Sequence, residues 1–190
     1  MKKFFLFAAA IVAMSLGFAA CGGNEPDENN NGQDTTTVTP ADTTATLTMF
    51  DEPYLGIGES LSKAEKNMTD MGFGDGQRQT SATGDTITTY YNGTKKAAMY
   101  VLFAVNNKLV QPQALIPAGE VAQNALLREL GNYYTLNTQA QRQGYQYYNV
   151  KNSDIMVGIT QTAISNTTFW VVFYFKPETQ QQAPKYIKAL

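Results

Sequence analysis

A helix followed by a run of strands occurs twice in this chain at a near-constant offset, and that spacing constrains its fold more than any property of composition. In the first copy Ser62 and Glu65 have capping-box spacing, Leu61, Ala64, Met68 and Met71 recur at helical intervals, and Gly72 supplies a stop. Residues 117–130 repeat the design, with Pro117 at the start, Val121, Ala122, Ala125, Leu126 and Leu130 along one face, and Gly131 as the stop. Gly72 and Gly131 lie 59 positions apart, Tyr91 and Tyr148 57, and Asn107 and Asn166 59.

Three strands are expected after each helix: residues 86–91, 97–105 and 109–116 in the first copy, and 144–149, 155–164 and 169–175 in the second, with turns at Asn106-Asn107 and Ser165-Asn166. The expectation is therefore an α+β two-layer sandwich of tandem α-β-β-β repeats, about 51–116 and 117–177. An antiparallel sheet of about six strands would carry two helices on one face. This element order resembles the beta-lactamase-inhibitor-protein-like fold found among small envelope lipoproteins.

A sheet covered on one side should alternate polar and apolar residues, yet Phe169-Trp170-Val171-Val172-Phe173-Tyr174-Phe175 is apolar on both sides of the pleat, as is the stretch from Met99 to Val105. If Phe169, Val171, Phe173 and Phe175 meet the helices, then Trp170, Val172 and Tyr174, joined by Tyr100 and Leu102, form a second apolar face. Two readings of that face stay open. Either the tether, the C-terminal tail or sheet curvature covers it, or it is a ligand surface with Trp170, Tyr174 and Tyr100 as contacts. The chain end supplies a candidate cover, since Tyr186-Ile187-Lys188-Ala189-Leu190 after a Gln-rich stretch reads as a short helix docking back.

Ahead of this domain lies a segment of another kind. Lys2 and Lys3 precede an apolar run from Phe4 to Met14 that is too short to span a bilayer, and small residues follow, which is the order of a secretory signal. Phe18-Ala19-Ala20-Cys21 resembles the lipobox of bacterial lipoproteins, although Phe18 stands where Leu is usual. The resemblance implies cleavage of residues 1–20 and acylation of Cys21, which would anchor the protein in a membrane. An ordinary thiol beside a plain cleavage site is disfavoured, because Cys21 has no second cysteine to pair with. A single acyl chain holds only marginally and stable attachment takes two or more, which lipoprotein processing supplies.

Residues 22–46 are rich in Gly, Asn, Asp, Thr and Pro and bury little apolar surface, so residues 21–46 read as a disordered, lipid-anchored tether and residues 47–190 as one globular domain. A coil of that length reaches roughly 25–30 Å. Glu25, Asp27 and Glu28 resemble the export signals of Bacteroidota-type lipoproteins, which implies an outer-membrane anchor with the domain periplasmic or surface-exposed. Asp34-Thr35-Thr36 and Asp42-Thr43-Thr44 resemble the O-glycosylation sites of the same bacteria and single out Thr35 and Thr43.

Charge and composition exclude several classes. From Leu47 onward there are 11 acidic and 12 basic residues, with no basic stripe of the kind a phosphate backbone requires, so nucleic acid is not an expected partner. There is no histidine and the one cysteine is assigned to the anchor, which removes the usual zinc ligands and the usual base of a Ser or Cys triad. Asp70 to Gly76 lacks the alternating oxygen ligands of a calcium loop and reads as a helix stop with a turn. Glu120, Glu129 and Asp154 show no paired spacing and read as surface acids. Tyr133-Tyr134 and the tyrosines between 145 and 148 read as β-forming residues rather than sugar platforms.

The expected function is a non-catalytic binding module without cofactor or metal, held to a membrane by lipid and recognising an envelope protein, peptide or glycan. The alternative is a structural accessory of an outer-membrane assembly, with a carboxylate-dependent enzyme third.

Overall fold

The computed structural model describes residues 47–81, 83–91, 95–140 and 142–190. The signal segment, the tether, Cys21, Thr35 and Thr43 lie outside the described residues.

Helix α1 (Leu61–Asp70) is capped by Ser60, whose side chain accepts from the Lys63 amide at 3.4 Å. The cap thus falls two residues before the expected Ser62, and Glu65 is free for other partners. Leu61, Ala64 and Met68 are buried, Gly72 supplies the left-handed residue after the helix with φ +89, and Met71 lies outside the core. Four strands follow: β1 (Gln77–Thr80), β2 (Thr86–Tyr90), β3 (Met99–Val105) and β4 (Lys108–Pro117). Asn106 and Asn107, with φ of 50 and 59, form the two-residue turn between β3 and β4, where positive φ at both positions favours asparagine.

Helix α2 (Gln123–Tyr133) begins later than expected, because Pro117 ends β4 instead of opening the helix, and Gly131 lies inside it. Leu126 and Leu130 are its buried residues. Next come β5 (Thr135–Leu136), β6 (Gln146–Asn149), β7 (Met156–Ile164) and β8 (Thr167–Phe175), then a 3-10 turn at Pro177–Thr179 and α3 (Ala183–Lys188).

Among the described residues the fold is α+β, with three helices and one antiparallel sheet of eight strands rather than about six, in the order β1-β2-β3-β4-β8-β7-β6-β5. All six expected strands form. The two additions are the edges, a short polar strand and a two-residue strand, which carry no hydrophobic alternation to announce them.

Both faces of the sheet are covered. On one face Tyr100, Leu102, Ile116, Trp170, Val172 and Tyr174 pack with Leu61, Ala64 and Met68 of α1, Leu126 and Leu130 of α2, and Phe50. On the other, Val101, Leu115, Phe169, Val171, Phe173 and Phe175 pack with Ala183 and Ile187 of α3. The parity of β8 is therefore the reverse of the expectation, and the layer opposite α1 and α2 is the C-terminal tail. A strand that is apolar on both sides does not encode which side meets the helices. Its pairing with β4, Ile116 opposite Trp170 and Ala114 opposite Val172, decides it.

Candidate functional site

The residues expected to form a binding surface lie inside the domain. Trp170 is 7% exposed, and Tyr174 and Tyr100 are fully buried on the face covered by α1 and α2. Each polar tip has a partner, as buried tyrosine and tryptophan require. Trp170 Nε1 donates to the Val121 carbonyl at 3.1 Å, and the Tyr100 hydroxyl accepts from the Asp51 amide at 2.8 Å. The Tyr134 and Tyr174 hydroxyls lie 2.9 Å apart, and Tyr134 donates to Glu52 Oε1 at 2.5 Å. Burial raises the Glu52 carboxyl above its ordinary value against the opposing effect of that hydrogen bond, and burial likewise raises Tyr134 and Tyr174. The assignment of these three aromatics to an accessible surface is corrected: they are core residues.

The same contacts fasten residues 47–54 across the helical face. Glu129 on α2 accepts from the Thr48 amide (2.6 Å), the Thr48 hydroxyl (2.7 Å) and the Met49 amide (2.9 Å). Lys95 pairs with Asp51 and donates to the Leu47 carbonyl at 3.1 Å.

Beside this segment opens a groove of about 410 Å³, lined by Tyr91, Lys95, Lys96, Ala97, Ala98, Pro117 and Glu120. Its parts converge because Pro117 closes β4 while residues 95–98 lead into its neighbour β3, and the Ala98 amide donates to the Leu115 carbonyl at 2.8 Å. Tyr91 is 60% exposed, and Lys96 faces Glu120 at 3.8 Å across the groove. An exposed ring next to a loosely paired ammonium and carboxylate can stack on an apolar ligand face and hydrogen-bond its polar edge. Sequence reasoning missed the site, since its lining is contributed from both ends of the β3–β4 hairpin. The local signal was the doubled Tyr90-Tyr91, of which one ring is buried and the other is outside.

A second groove, about 270 Å³, lies between α1 and β2 and is lined by Glu65, Lys66, Thr69, Asp75, Gly76, Arg78, Thr88 and Tyr90. Its charges are largely spent on one another. Arg78 Nε donates to Glu65 Oε1 at 2.9 Å and its Nη2 to Oε2, while the Thr88 hydroxyl donates to Oε1 at 2.8 Å. The hydrogen bond to Glu65 raises Arg78 further, and burial, the largest cause, pushes the Tyr90 hydroxyl up to about 12. A Cβ on Gly76 would strike Tyr90 and Thr88, so that glycine serves close packing.

The remaining expected surface acid, Asp154, meets Lys176 at 3.1 Å, and Asp70, at the end of α1 where the glycine-rich turn begins, meets Lys66 at 2.5 Å. Tyr147 and Tyr148 are buried strand residues, and Tyr145 is half-buried with Arg142 5.6 Å above its ring. Among the described residues no three His, Cys, Asp or Glu side chains gather, and no helix is long and apolar enough to cross a membrane.

No protein-family model, curated protein or solved structure matches the chain.

Proposed function

We propose that this chain is a lipid-tethered, non-catalytic binding module of the cell envelope, anchored through Cys21 to the outer membrane, and that it holds its ligand in the Tyr91–Lys96–Glu120 groove. The observation that carries the binding reading is Tyr91, an aromatic ring left 60% exposed over a groove of ligand size in a domain that buries nearly every other ring. A glycan is the ligand class the groove suits, because a pyranose offers an apolar face to the ring and hydroxyls to Lys96 and Glu120. The test is titration with a panel of pyranose oligosaccharides. Tyr91→Ala should weaken whichever binds by about tenfold or more, in line with about 1.4 kcal/mol per tenfold. Identical affinity in Tyr91→Ala would refute the site.

The anchor is tested separately. Cys21→Ala should move the protein from the membrane to the soluble fraction, and mass spectrometry of the native protein should find fatty acid on Cys21 at its N-terminus. The same spectra decide whether Thr35 or Thr43 carries sugar.

The reading of the domain as a duplicated unit is supported by its element order, α1 then four strands, α2 then four strands, and by a strand order that mirrors itself about the β4–β8 pair. Each unit would then be α-β-β-β-β, one strand longer than expected.

A further inference from the structure

Two lysines stand on the wall of the Tyr91 groove, and they are employed differently. An ammonium carries three N–H donors and no acceptor. Those of Lys95 meet three acceptors on residues 47–51: the Asp51 carboxylate, with which Lys95 forms an ion pair, the Leu47 carbonyl at 3.1 Å and the Phe50 carbonyl at 3.4 Å. Two residues along the same wall, the Ala97 amide donates to the Met49 carbonyl at 3.2 Å. Lys96 instead meets Glu120 at 3.8 Å, and both of those side chains are more than half exposed.

Residues 47–51 are also held from the side away from the groove. Leu47 and Phe50 are buried in the core beneath α1 and α2, the Asp51 amide donates to the Tyr100 hydroxyl, and Glu129 holds Thr48 and Met49. This short stretch therefore backs the wall at 95–97, and its departure would release the Lys95 ammonium and the Ala97 amide together.

We propose that Lys95 is a positioning residue of the groove rather than a ligand contact, and that the ligand is an uncharged glycan. The inference rests on the glycan reading of this groove and deepens it. With the three donors of Lys95 committed to residues 47–51, the charges turned to a ligand are the Lys96 ammonium and the Glu120 carboxylate, which cancel. A ligand carboxylate brought up to Lys96 would lie beside Glu120 and be repelled, whereas sugar hydroxyls can accept from Lys96 and donate to Glu120. A free Lys95 would set two ammonium groups against one carboxylate and favour an acidic sugar.

The assignment of Lys95 is tested without any ligand, by amide exchange on the full-length protein. Lys95→Met keeps the aliphatic stem and removes the donors, so amides of residues 47–51 and of Ala97 should exchange at least tenfold faster while those of β8 do not change. Lys95→Arg, which restores a cation with donors, should return most of the protection. Should Lys95→Met loosen β8 as well, Asp51→Asn, which spares both carbonyl acceptors, should show the same local pattern at smaller amplitude. Unchanged exchange at 47–51 and Ala97 in Lys95→Met, or no local pattern in Asp51→Asn where β8 has loosened, would overturn the assignment.

The ligand class is tested with matched pairs of oligosaccharides: glucose with glucuronate, galactose with galacturonate, and mannose with mannuronate oligomers. In whichever pair binds, the neutral member should bind at least tenfold more tightly, and Glu120→Gln should narrow that gap by removing the repulsion. Tighter binding of the acidic member would show that Lys95 reaches the ligand and would overturn the proposal. Binding of neither member in any pair would refute the glycan reading and the ligand class with it, while the exchange result still decides whether Lys95 belongs to residues 47–51.

Discussion

The ring of Phe173 on β8 occupies the volume directly over Gly158 on β7, where any Cβ would overlap it. The two residues are cross-strand partners, and the ring also meets Tyr145, Tyr147 and Phe175. Gly158 is thus the floor that lets four aromatic side chains share one patch of the sheet. Gly158→Ala is expected to destabilise the domain by about 1–3 kcal/mol, the usual cost of overpacking a filled core. Equilibrium urea unfolding measures it, and Phe173→Leu in the same chain should recover part of the loss. Equal stability of Gly158→Ala and wild type would mean the ring is free to move away.

Trp170 is the one tryptophan in the chain, so intrinsic fluorescence reports a single environment. Buried against α2 with its indole N–H on the Val121 carbonyl, it should emit at short wavelength and resist acrylamide quenching until the domain unfolds. Trp170→Phe strands that carbonyl and leaves a space, at a cost of about 1–3 kcal/mol. Strong quenching of the native protein would contradict the burial and return Trp170 to the surface.

How far the sequence reveals this architecture depends on the range of the determining contacts. Local chemistry was legible: the Asn106-Asn107 turn, the Gly72 stop, six strands with apolar runs and the docked C-terminal helix are each written in a few adjacent residues. Edge strands β1 and β5 were not, since Gln77-Arg78-Gln79-Thr80 is polar throughout and Thr135-Leu136 is too short to show a period. The parity of β8 escaped for the opposite reason, because a strand apolar on both sides fits either orientation equally. The fastening of residues 47–54 rests on partners some 80 positions away, as with Thr48 and Glu129, and no local pattern marks it.

That fastening is testable at Glu129. Glu129→Ala removes the acceptor for two backbone amides and the Thr48 hydroxyl on a partly solvated surface, and should cost about 1–2 kcal/mol. Loss of stability is the lesser readout. Amide exchange in residues 47–54 should rise well above that of β8, and protease should cut there first, while Glu129→Gln, which keeps one acceptor oxygen, should be intermediate. Uniform destabilisation with no local increase in exchange would argue that Phe50 and the contacts of Asp51 and Glu52 hold the segment without Glu129.

Glu52 gives the domain a pH dependence whose sign follows from its surroundings. Burial lifts its carboxyl above the ordinary 4.5, and the hydrogen bond from Tyr134 opposes the lift. For an acid raised in the folded state, the favoured form is the neutral one. The stability this contributes is complete below the unfolded value and is lost as pH rises through the folded one. Glu52→Gln keeps an acceptor for Tyr134 but cannot ionise, so its Tm should match wild type near pH 4 and exceed it near pH 7. Tyr134→Phe removes the one interaction that favours the carboxylate, and should make the decline between those pH values steeper than in wild type. Thermal unfolding followed by circular dichroism from pH 4 to pH 7 distinguishes these outcomes. Curves for wild type and Glu52→Gln that run parallel across the range would show that Glu52 is solvated well enough to ionise freely in the folded state.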